Sequence, residues 1–406
     1  MGTPAIPQRL AFPAGAQQLI NWGISFYMPG TFAGAIAADK GWSSPQIYLG
    51  LTLAMLIMAA VSPLVAGLLA RFGGRLVVTS GTLLIAASCA MMAWSPSLVG
   101  WYGAWLLTGV GMRLSLYDAL FAAVVNLYGQ QARKTISQIT LVGGLASALF
   151  WPLGETLLSV MSWQDALRVY ALFGLLSAWL SYQLPRQRLG SSTKAKAPTA
   201  DGDRRNGIRY ALFIALITFI STGTSTHLPE FISHFGLPVA IGMLWGFGQT
   251  GARLGEVLAG RRITPLALTR FTALAMPLCF LLGVSSTAYA GCAAGFVLGY
   301  GAINGLVTIV KATLPLALFS AESYASRTGL LLIPGQLMAA AAPFTYAWLN
   351  HRLGIVGGMW ISTGLTLIVA GLALAMARSV GKTEPGKRPA LCPGAKHRPA
   401  EHLPEP

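Results

Sequence analysis

The sequence predicts an all-α integral membrane protein with twelve transmembrane helices arranged as two six-helix bundles. Hydrophobic residues make up 54% of the chain and charged residues only 10%, whereas a soluble domain averages about 25% charged residues. Apolar windows of roughly 18–25 residues recur along nearly the whole chain, and each can cross about 30 Å of hydrocarbon. Backbone polar groups in lipid must be hydrogen-bonded within their own segment, so these windows are expected to be helices.

The predicted spans are evenly distributed on both sides of one polar segment. They cover residues 12–36, 46–70, 76–95, 98–124, 136–160, 166–184, 209–229, 238–260, 266–285, 288–310, 328–349 and 353–377. The polar segment is basic and rich in Ser, Pro and Gly, which is typical of a linker with little fixed structure. The expected organisation is an N-terminal six-helix bundle (1–184), the linker (185–208), a C-terminal six-helix bundle (209–378) and a disordered cytoplasmic tail (379–406). Two equal halves predict an internal duplication with a substrate bound between them near the midplane.

The basic residues are concentrated on one predicted side of the membrane. Of the 28 Lys and Arg residues, seven lie in or next to the linker and six lie from Arg378 onward. Short connections of the same parity carry Arg71, Arg75, Arg133, Lys134, Arg261 and Arg262, and the opposite connections carry Lys40, Arg168 and Arg352. This pattern predicts a multi-pass membrane protein with both termini in the cytoplasm. The net charge of +16 is then expected to face anionic inner-leaflet lipid rather than nucleic acid.

Other classes of protein are not indicated. The four cysteines, at positions 89, 279, 292 and 392, are dispersed, which argues against a disulfide framework or a zinc site. The chain contains no His-x-x-x-His, no Gly-x-Ser-x-Gly and no complete phosphate loop of the form Gly-x-x-x-x-Gly-Lys-Ser/Thr, so we expect neither an enzyme nor a cofactor. A membrane sensor that binds ligand without turnover would carry an added signalling domain or a long structured tail. The sequence indicates neither, so we do not expect a sensor. We see no interface signal and expect a monomer.

Five ionisable side chains lie inside the apolar windows, and they give the first indication of function. They are Arg113, Asp118, Glu155, Arg253 and Glu256. A charge near the centre of a membrane helix costs about 2.5–3.5 kcal/mol even on the lenient insertion scale, so such residues face a water-filled cavity or a partner. This favours a protein that moves a small polar or charged molecule across the membrane.

The eighth span contains the sharpest constellation, in which Gly246, Gln249, Arg253 and Glu256 share one helix face. The arginine keeps its charge at this depth, and its planar fork matches a carboxylate. Gln249 lies one turn away and can donate a hydrogen bond to the same ligand. Glu256 can neutralise Arg253 when the site is empty. The alternative is a permanent Arg253–Glu256 ion pair that packs helices together.

The fourth span carries Arg113, Tyr117 and Asp118. Arg113 and Tyr117 share a face, whereas Asp118 lies about 140° away from Arg113 around a continuous helix. The two charges are therefore not expected to pair within the helix. Asp118 is expected either to bond to another helix or to take up and release protons, because burial disfavours its ionised form and a nearby cation favours it.

Further polar residues are expected to line the cavity. Asn21 lies in the first span, Tyr300 and Asn304 in the tenth, and Gln336 follows Pro334-Gly335 in the eleventh. The alternative for each is a structural role in helix packing, and a structural role is also expected for His227 near the outer end of the seventh span. The candidate substrate contacts are thus Arg253, Gln249, Asn304, Tyr300, Tyr117, Arg113, Asn21 and Gln336, and the candidates for proton coupling are Asp118 and Glu256.

Two six-helix halves joined by a basic linker resemble the major facilitator superfamily over residues 10–378. That family's loop after the second helix usually reads Gly-x-x-x-Asp-Arg-x-Gly-x-Arg. Here the Arg-x-Gly-x-Arg part is kept as Arg71-Phe72-Gly73-Gly74-Arg75, and Ala70 replaces the acid. The resemblance implies the major facilitator fold and transport by alternating access of the two halves.

Within that superfamily the chain resembles the monocarboxylate-porter-like bacterial branch. The similar stretches are Asp39-Lys40-Gly41-Trp42-Ser43, the spacing of Tyr128, Arg133 and Gly143, and the eighth-span segment from Gly246 to Arg253. The resemblance implies that Arg253 holds a substrate carboxylate, while Gln249 stands where the branch has an aspartate implicated in proton transfer. We therefore expect secondary transport of a small organic anion with protons as the coupling ion. The alternative is efflux of a neutral or cationic toxicant such as arsenite or a drug, although dispersed cysteines give arsenite no thiolate cluster.

Overall fold

The computed structural model describes residues 11–128, 132–185, 204–259, 263–318, 331 and 333–383. Within these residues the regular elements are helices. They are α1 (Ala11–Ile24), α2 (Met28–Lys40), α3 (Ser44–Trp94), α4 (Leu98–Ser115), α5 (Tyr117–Tyr128), α6 (Ala132–Gly143), α7 (Ala146–Val160), α8 (Trp163–Tyr182), α9 (Arg204–His234), α10 (Met243–Ala259), α11 (Pro265–Val284), α12 (Gly291–Leu318) and α13 (Ile333–Thr383). Short 3-10 turns precede α10 (Val239–Gly242) and follow α11 (Ser285–Thr287).

The described helices include eight stretches that are long and apolar enough to cross a membrane. The last of these, Ile333–Ser379, contains two crossings because α13 leaves helical geometry at Gly354, with φ 71° and ψ 166°. The helix pair α1–α2 and the single helices α8 and α10 are apolar but shorter or more polar. Together the described helices are consistent with the twelve crossings expected from the sequence.

The turn between the second and third crossings explains the Arg-x-Gly-x-Arg motif. Helix α3 breaks at Gly73, whose φ of 80° and ψ of 161° lie in a region that only glycine adopts readily. Arg75, two residues later, donates a hydrogen bond to the carbonyl of Leu184 at the end of α8 and lies 5.0 Å from the ring centre of Tyr182. The glycine thus makes the turn, and the arginine attaches it to a neighbouring helix.

The apolar core consists of two large clusters, and each comes almost wholly from one half of the chain. One extends from Ile20 to Tyr170, and the other extends from Tyr210 to Met376. The exceptions are Trp151, which belongs to the C-terminal cluster, and Ala347, which belongs to the N-terminal cluster. Each half therefore has its own core, and these two residues mark where the halves meet.

Three spans that the sequence predicts as continuous are interrupted. The first span ends at Ile24 and restarts at Met28. Pro29 lies in the first turn of α2, where its missing N–H costs no hydrogen bond. The fourth span is interrupted at Leu116, which is extended with ψ −175°. The fifth is interrupted at Gly144-Leu145, between α6 and α7.

The ends of the two halves differ in detail from the expectation. Helix α9 begins at Arg204, inside the expected linker, and α13 continues to Thr383, into the expected tail. Residues 186–203, the Arg261-Arg262 pair and the tail beyond Thr383 lie outside the described residues.

Replacement of Gly73 by alanine should destabilise the protein by about 1–3 kcal/mol, because a Cβ is strained at this backbone conformation. Thermal unfolding of the purified protein measures the effect as a lower melting temperature. Gly67→Ala is the matched control, because Gly67 lies in the same helix and a Cβ there meets nothing within 4 Å. Equal melting temperatures for the two variants would show that the turn is not strained.

Candidate functional site

The two halves make close contacts at one end of the membrane. We call the end that carries residues 185 and 204 the linker side, and the opposite end, with the α2–α3 turn at Gly41, the far side. On the far side the Tyr48 hydroxyl of the N-terminal half donates to the Thr226 carbonyl of the C-terminal half over 3.3 Å. The Phe344 backbone N–H donates to Thr52 Oγ1 over 3.4 Å. The far side is therefore closed.

Toward the linker side the halves enclose a cavity of about 450 Å³. Its walls come from α3, from the α4–α5 region and from the start of α13. The lining residues are Met58, Ala59, Ser62, Arg113, Asp118, Ile333, Gln336 and Leu337. The cavity thus presents one cation, one carboxylate and one exposed amide at the boundary between the halves.

Arg113 and Asp118 form an ion pair in the cavity wall, which corrects the expectation that they would not pair. That expectation assumed a continuous helix. The chain leaves helical geometry at Leu116, and this break brings Asp118 onto the Arg113 side. The Asp118 side chain is 69% exposed and that of Arg113 20% exposed, so the carboxylate is the more accessible partner. Arg113 Nε is buried and has no hydrogen-bond partner among the described residues.

Arg253 extends from α10 of the C-terminal half to the broken fifth span of the N-terminal half. A Cβ built on Gly144 would lie 3.3 Å from Arg253 Nη1 and 3.0 Å from the Thr140 carbonyl oxygen. The guanidinium therefore lies at the carbonyl-rich C-terminal end of α6, where a cation is electrostatically favoured. It also interacts electrostatically with the hydroxyls of Tyr27 and Tyr117.

Glu256 does not neutralise Arg253 in this structure. No ion pair within 4 Å joins these two described side chains, so neither the expected neutralisation nor the alternative of a permanent pair is seen. The reason is that Arg253 is directed at the N-terminal half, away from its own helix. Gln249 is buried, at 5% exposure, and its backbone lies against Gly305 of α12.

Tyr117 also lies at the broken fifth span, near Arg253. Its ring centre lies 5.5 Å from that of Trp22, and its hydroxyl occupies the space that a Cβ on Gly143 would need. Asn304 is half-buried and accepts a hydrogen bond from Ser221 of α9. The described geometry thus groups Arg253 with Tyr117 and places Asn304 in a pairing within the C-terminal half.

Tyr300 does not line a cavity, contrary to the expectation. It is 1% exposed, and its ring centre lies within 6 Å of those of Trp245, Phe280 and Phe296. It belongs to the C-terminal core because aromatic residues of α10, α11 and α12 surround it. Its predicted role as a substrate contact does not fit this structure.

Asn21 is likewise part of the internal structure of the N-terminal half. It is fully buried and donates from Nδ2 to Thr82 Oγ1 over 2.9 Å and to Ser115 Oγ over 3.1 Å. The Ser177 hydroxyl donates to Asn21 Oδ1 over 2.6 Å. With its donors and its acceptor all used, Asn21 ties together the first, third, fourth and sixth spans, and in this structure it does not reach the cavity between the halves.

Sequence reasoning missed Tyr27, Trp151 and Gly144 at the boundary of the halves. Tyr27 lies in the break of the first span, and the Tyr27 and Trp151 ring centres are 5.4 Å apart. The adjacent glycines Gly143-Gly144 inside a predicted helix were the available signal, since such pairs commonly interrupt membrane helices. A broken helix in a membrane requires protein or a cavity around it.

Asn21→Ala should lower the free energy of unfolding by about 1–3 kcal/mol, because it leaves buried hydrogen-bonding partners unsatisfied. The melting temperature should fall accordingly. The substrate concentration for half-maximal transport should stay unchanged in the folded fraction. Gln336→Ala is the matched amide deletion, and because Gln336 is exposed in the cavity it should leave the melting temperature unchanged. An unaltered melting temperature in Asn21→Ala with weaker substrate affinity would contradict the structural role.

Known structures show the same fold at low sequence identity. A bacterial homologue of the human lysosomal transporter Spinster, inward-facing and occupied, matches with a TM-score of 0.70 and 14% identity over 94% of this chain and 100% of that chain. Its unoccupied form matches with a TM-score of 0.67 and 13% identity over 94% and 100%. A variant of the nucleoside transporter NupG matches with a TM-score of 0.68 and 12% identity over 92% and 99%. No functionally curated protein matches the sequence.

The sequence itself matches the family model of the Major Facilitator Superfamily over residues 19–343. That range covers most of both halves, from the last residues of α1 to the start of α13. The chain therefore belongs to the Major Facilitator Superfamily and is a multi-pass membrane transporter rather than an enzyme.

Proposed function

We propose that this transporter moves a small organic anion of the monocarboxylate type and that Arg253 binds the anion. The observation that carries the proposal is the position of Arg253, which reaches from the C-terminal half to the N-terminal half. No described carboxylate lies within 4 Å of its guanidinium. A charged group within a membrane protein needs a counter-charge or a polar cavity, and a substrate carboxylate would supply the counter-charge.

The surroundings of Arg253 support binding of a carboxylate. The hydroxyls of Tyr117 and Tyr27 interact electrostatically with the guanidinium, and Gln249 lies one helical turn away on the same face of α10. A substrate bound here would contact both halves, as alternating access requires. The Spinster homologue, by its description, was captured in an inward-facing conformation.

The positive-inside pattern supports an orientation in which the linker side is cytoplasmic, with both termini in the cytoplasm of a bacterial inner membrane. In that orientation the closed far side is external, and the cavity between α3, α5 and α13 faces inward. The structure then corresponds to the inward-facing state of a transporter that works as a monomer in a bilayer with anionic inner-leaflet lipids.

Proton coupling is proposed for Asp118, with Glu256 as the second candidate. The exposed Asp118 carboxylate reaches the cavity while bonded to Arg113. An anion that competes for Arg113 would leave Asp118 without its cationic partner, and a carboxylate that loses a cationic partner binds a proton more readily. Substrate binding and proton uptake would then be linked at one ion pair.

Arg253→Ala should reduce carboxylate transport by about 10- to 150-fold, which corresponds to about 1.5–3 kcal/mol for hydrogen bonds to a charged group. Proton flux and current in proteoliposomes measure this for lactate, pyruvate, aromatic carboxylates and arsenite. Arg253→Lys should retain part of the activity, since it keeps the charge without the planar fork.

Arg270→Ala is the matched control for Arg253, because Arg270 is exposed on α11. It should transport at the unaltered rate. Silence toward every carboxylate, or a carboxylate signal that survives Arg253→Ala, would contradict the proposal. A signal for arsenite alone would instead support efflux of an uncharged toxicant.

Asp118→Asn should separate transport from proton coupling. Substrate exchange across the membrane should continue, since exchange requires no net proton movement, whereas accumulation driven by a pH gradient should be lost. Counterflow and gradient-driven uptake in the same proteoliposomes measure the two activities. If Glu256→Gln abolishes gradient-driven uptake and Asp118→Asn does not, the coupling residue is Glu256.

A further inference from the structure

We propose that His227 and Glu230 form a proton-binding site and that one bound proton holds the far side of the transporter closed. The inference depends on the alternating access of the proposed function but not on the identity of the substrate. It assigns a role to a histidine for which the sequence predicted only a structural one.

Both ring nitrogens of His227 face oxygen atoms. Nδ1 lies 3.0 Å from Glu230 Oε2, one helical turn away on α9. Nε2 lies 3.0 Å from the backbone carbonyl oxygen of Pro343 on α13. The histidine side chain is 4% exposed, so water cannot replace either partner.

Neutral His227 has one N–H donor, but its two ring nitrogens face two acceptor oxygens. The pair of His227 and Glu230 therefore needs one additional proton. A carbonyl oxygen only accepts, so Nε2 must carry hydrogen to bond Pro343. Neutral histidine then has a lone pair on Nδ1, which would face an ionised carboxylate at hydrogen-bond distance and repel it. The contact becomes favourable when one proton is added, either on Nδ1 as imidazolium or on the Glu230 carboxyl. Loss of that proton would leave a net negative charge on the pair and no hydrogen bond between the ring and the carboxylate.

The proton also strengthens a contact between the two halves. The His227 ring lies 4.0 Å from the ring centre of Tyr48, which belongs to α3 of the N-terminal half. A charged imidazolium over an aromatic face gains cation–π attraction that a neutral ring lacks. Tyr48 is also the residue that donates to the Thr226 carbonyl, so the His227–Tyr48 pair lies within the far-side closure.

The ionisable groups on the neighbouring elements favour retention of the proton. Tyr48 of α3 and Tyr346 of α13 flank the His227 ring, at ring-centre distances of 4.0 and 6.3 Å. Glu155 of α7 lines the same far-side cavity of about 500 Å³ as Glu230. A second carboxylate across the cavity adds negative potential, and negative potential stabilises a bound proton.

The cavity gives the site a route to the far-side solution. Glu230 is 38% exposed, whereas His227 is buried. The same cavity is lined by Ser44, Ser159 and Ser233 near the far-side ends of α3, α7 and α9. A proton can therefore arrive at Glu230 from the far side and be shared with His227 in the closure. The pH of the far-side solution would then set the fraction of transporters whose far side is closed.

The test measures far-side opening directly in the full chain, without substrate. Spin labels are placed on Ala38→Cys of α2 and Pro238→Cys after α9, which are exposed far-side positions in the two halves. The four native cysteines are replaced by alanine, at positions 89, 279, 292 and 392. Distances between the labels are recorded in lipid nanodiscs from about pH 5.5 to about pH 8.5, the range in which histidine changes charge.

The short-distance, closed population should rise as the pH falls, with a closed-to-open ratio that changes by at most about tenfold per pH unit for one proton. His227→Gln and Glu230→Gln should each abolish this pH dependence, because neither leaves a pair that needs a proton. His234→Gln is the matched control, since His234 is exposed on the same helix, and it should keep the unaltered pH profile.

A purely structural role would give a different result, in which His227→Gln changes the closed fraction equally at every pH and leaves the slope intact. That result would overturn the proposal, as would a distance distribution that does not change with pH in the unaltered protein. Because no substrate is present, failure here would leave the carboxylate proposal standing, and failure of the carboxylate assay would leave this one standing.

Discussion

The absence of water in hydrocarbon governs the construction of this protein, because each polar group inside the membrane must find its partner within the chain. The backbone meets this requirement by forming helices. The side chains meet it in local arrangements that differ in kind. Arg113 pairs with a carboxylate of the same span, and His227 contacts a carboxylate one turn away. Arg253 lies at the carbonyl end of a helix from the other half. These arrangements fix where helices break and where the two halves touch.

The breaks in the first, fourth and fifth spans are subject to the same requirement for partners within the chain. They converge on one region, because Trp22 and Tyr117 flank two of the breaks and lie 5.5 Å apart, while the Tyr117 hydroxyl abuts Gly143 at the third. Interrupted membrane helices expose backbone groups that a ligand or a cation can use. The N-terminal half thus contributes irregular backbone and aromatic rings to the boundary, and the C-terminal half contributes the guanidinium of Arg253.

Hydropathy and charge counts predict the fold class and the division into halves, because these depend on composition over whole windows. The Arg-x-Gly-x-Arg turn was located by the resemblance of its motif to that of the superfamily. The site was predicted less well, since it depends on local geometry. Asn21 and Tyr300 have the polarity of cavity residues, but a one-dimensional pattern does not tell a bonded amide in a helix bundle from one that faces solvent. The Arg113–Asp118 pair was missed because angular spacing assumes an unbroken helix. The grouping of Arg253 with Tyr117 involves residues far apart in sequence, which helical spacing cannot address.

Trp151 shows that the boundary between the cores is not the boundary between the two halves of the chain. The residue lies on α7 of the N-terminal half, but its indole is fully buried in the C-terminal cluster, against Gly242 of the opposite half. Ala347 of the C-terminal half is buried in the other cluster in return. Each half therefore contributes one buried residue to the apolar core of the other. A chimera that exchanged one half for that of a distant relative would leave a void or a clash at each of these positions, even with an intact connection between the halves.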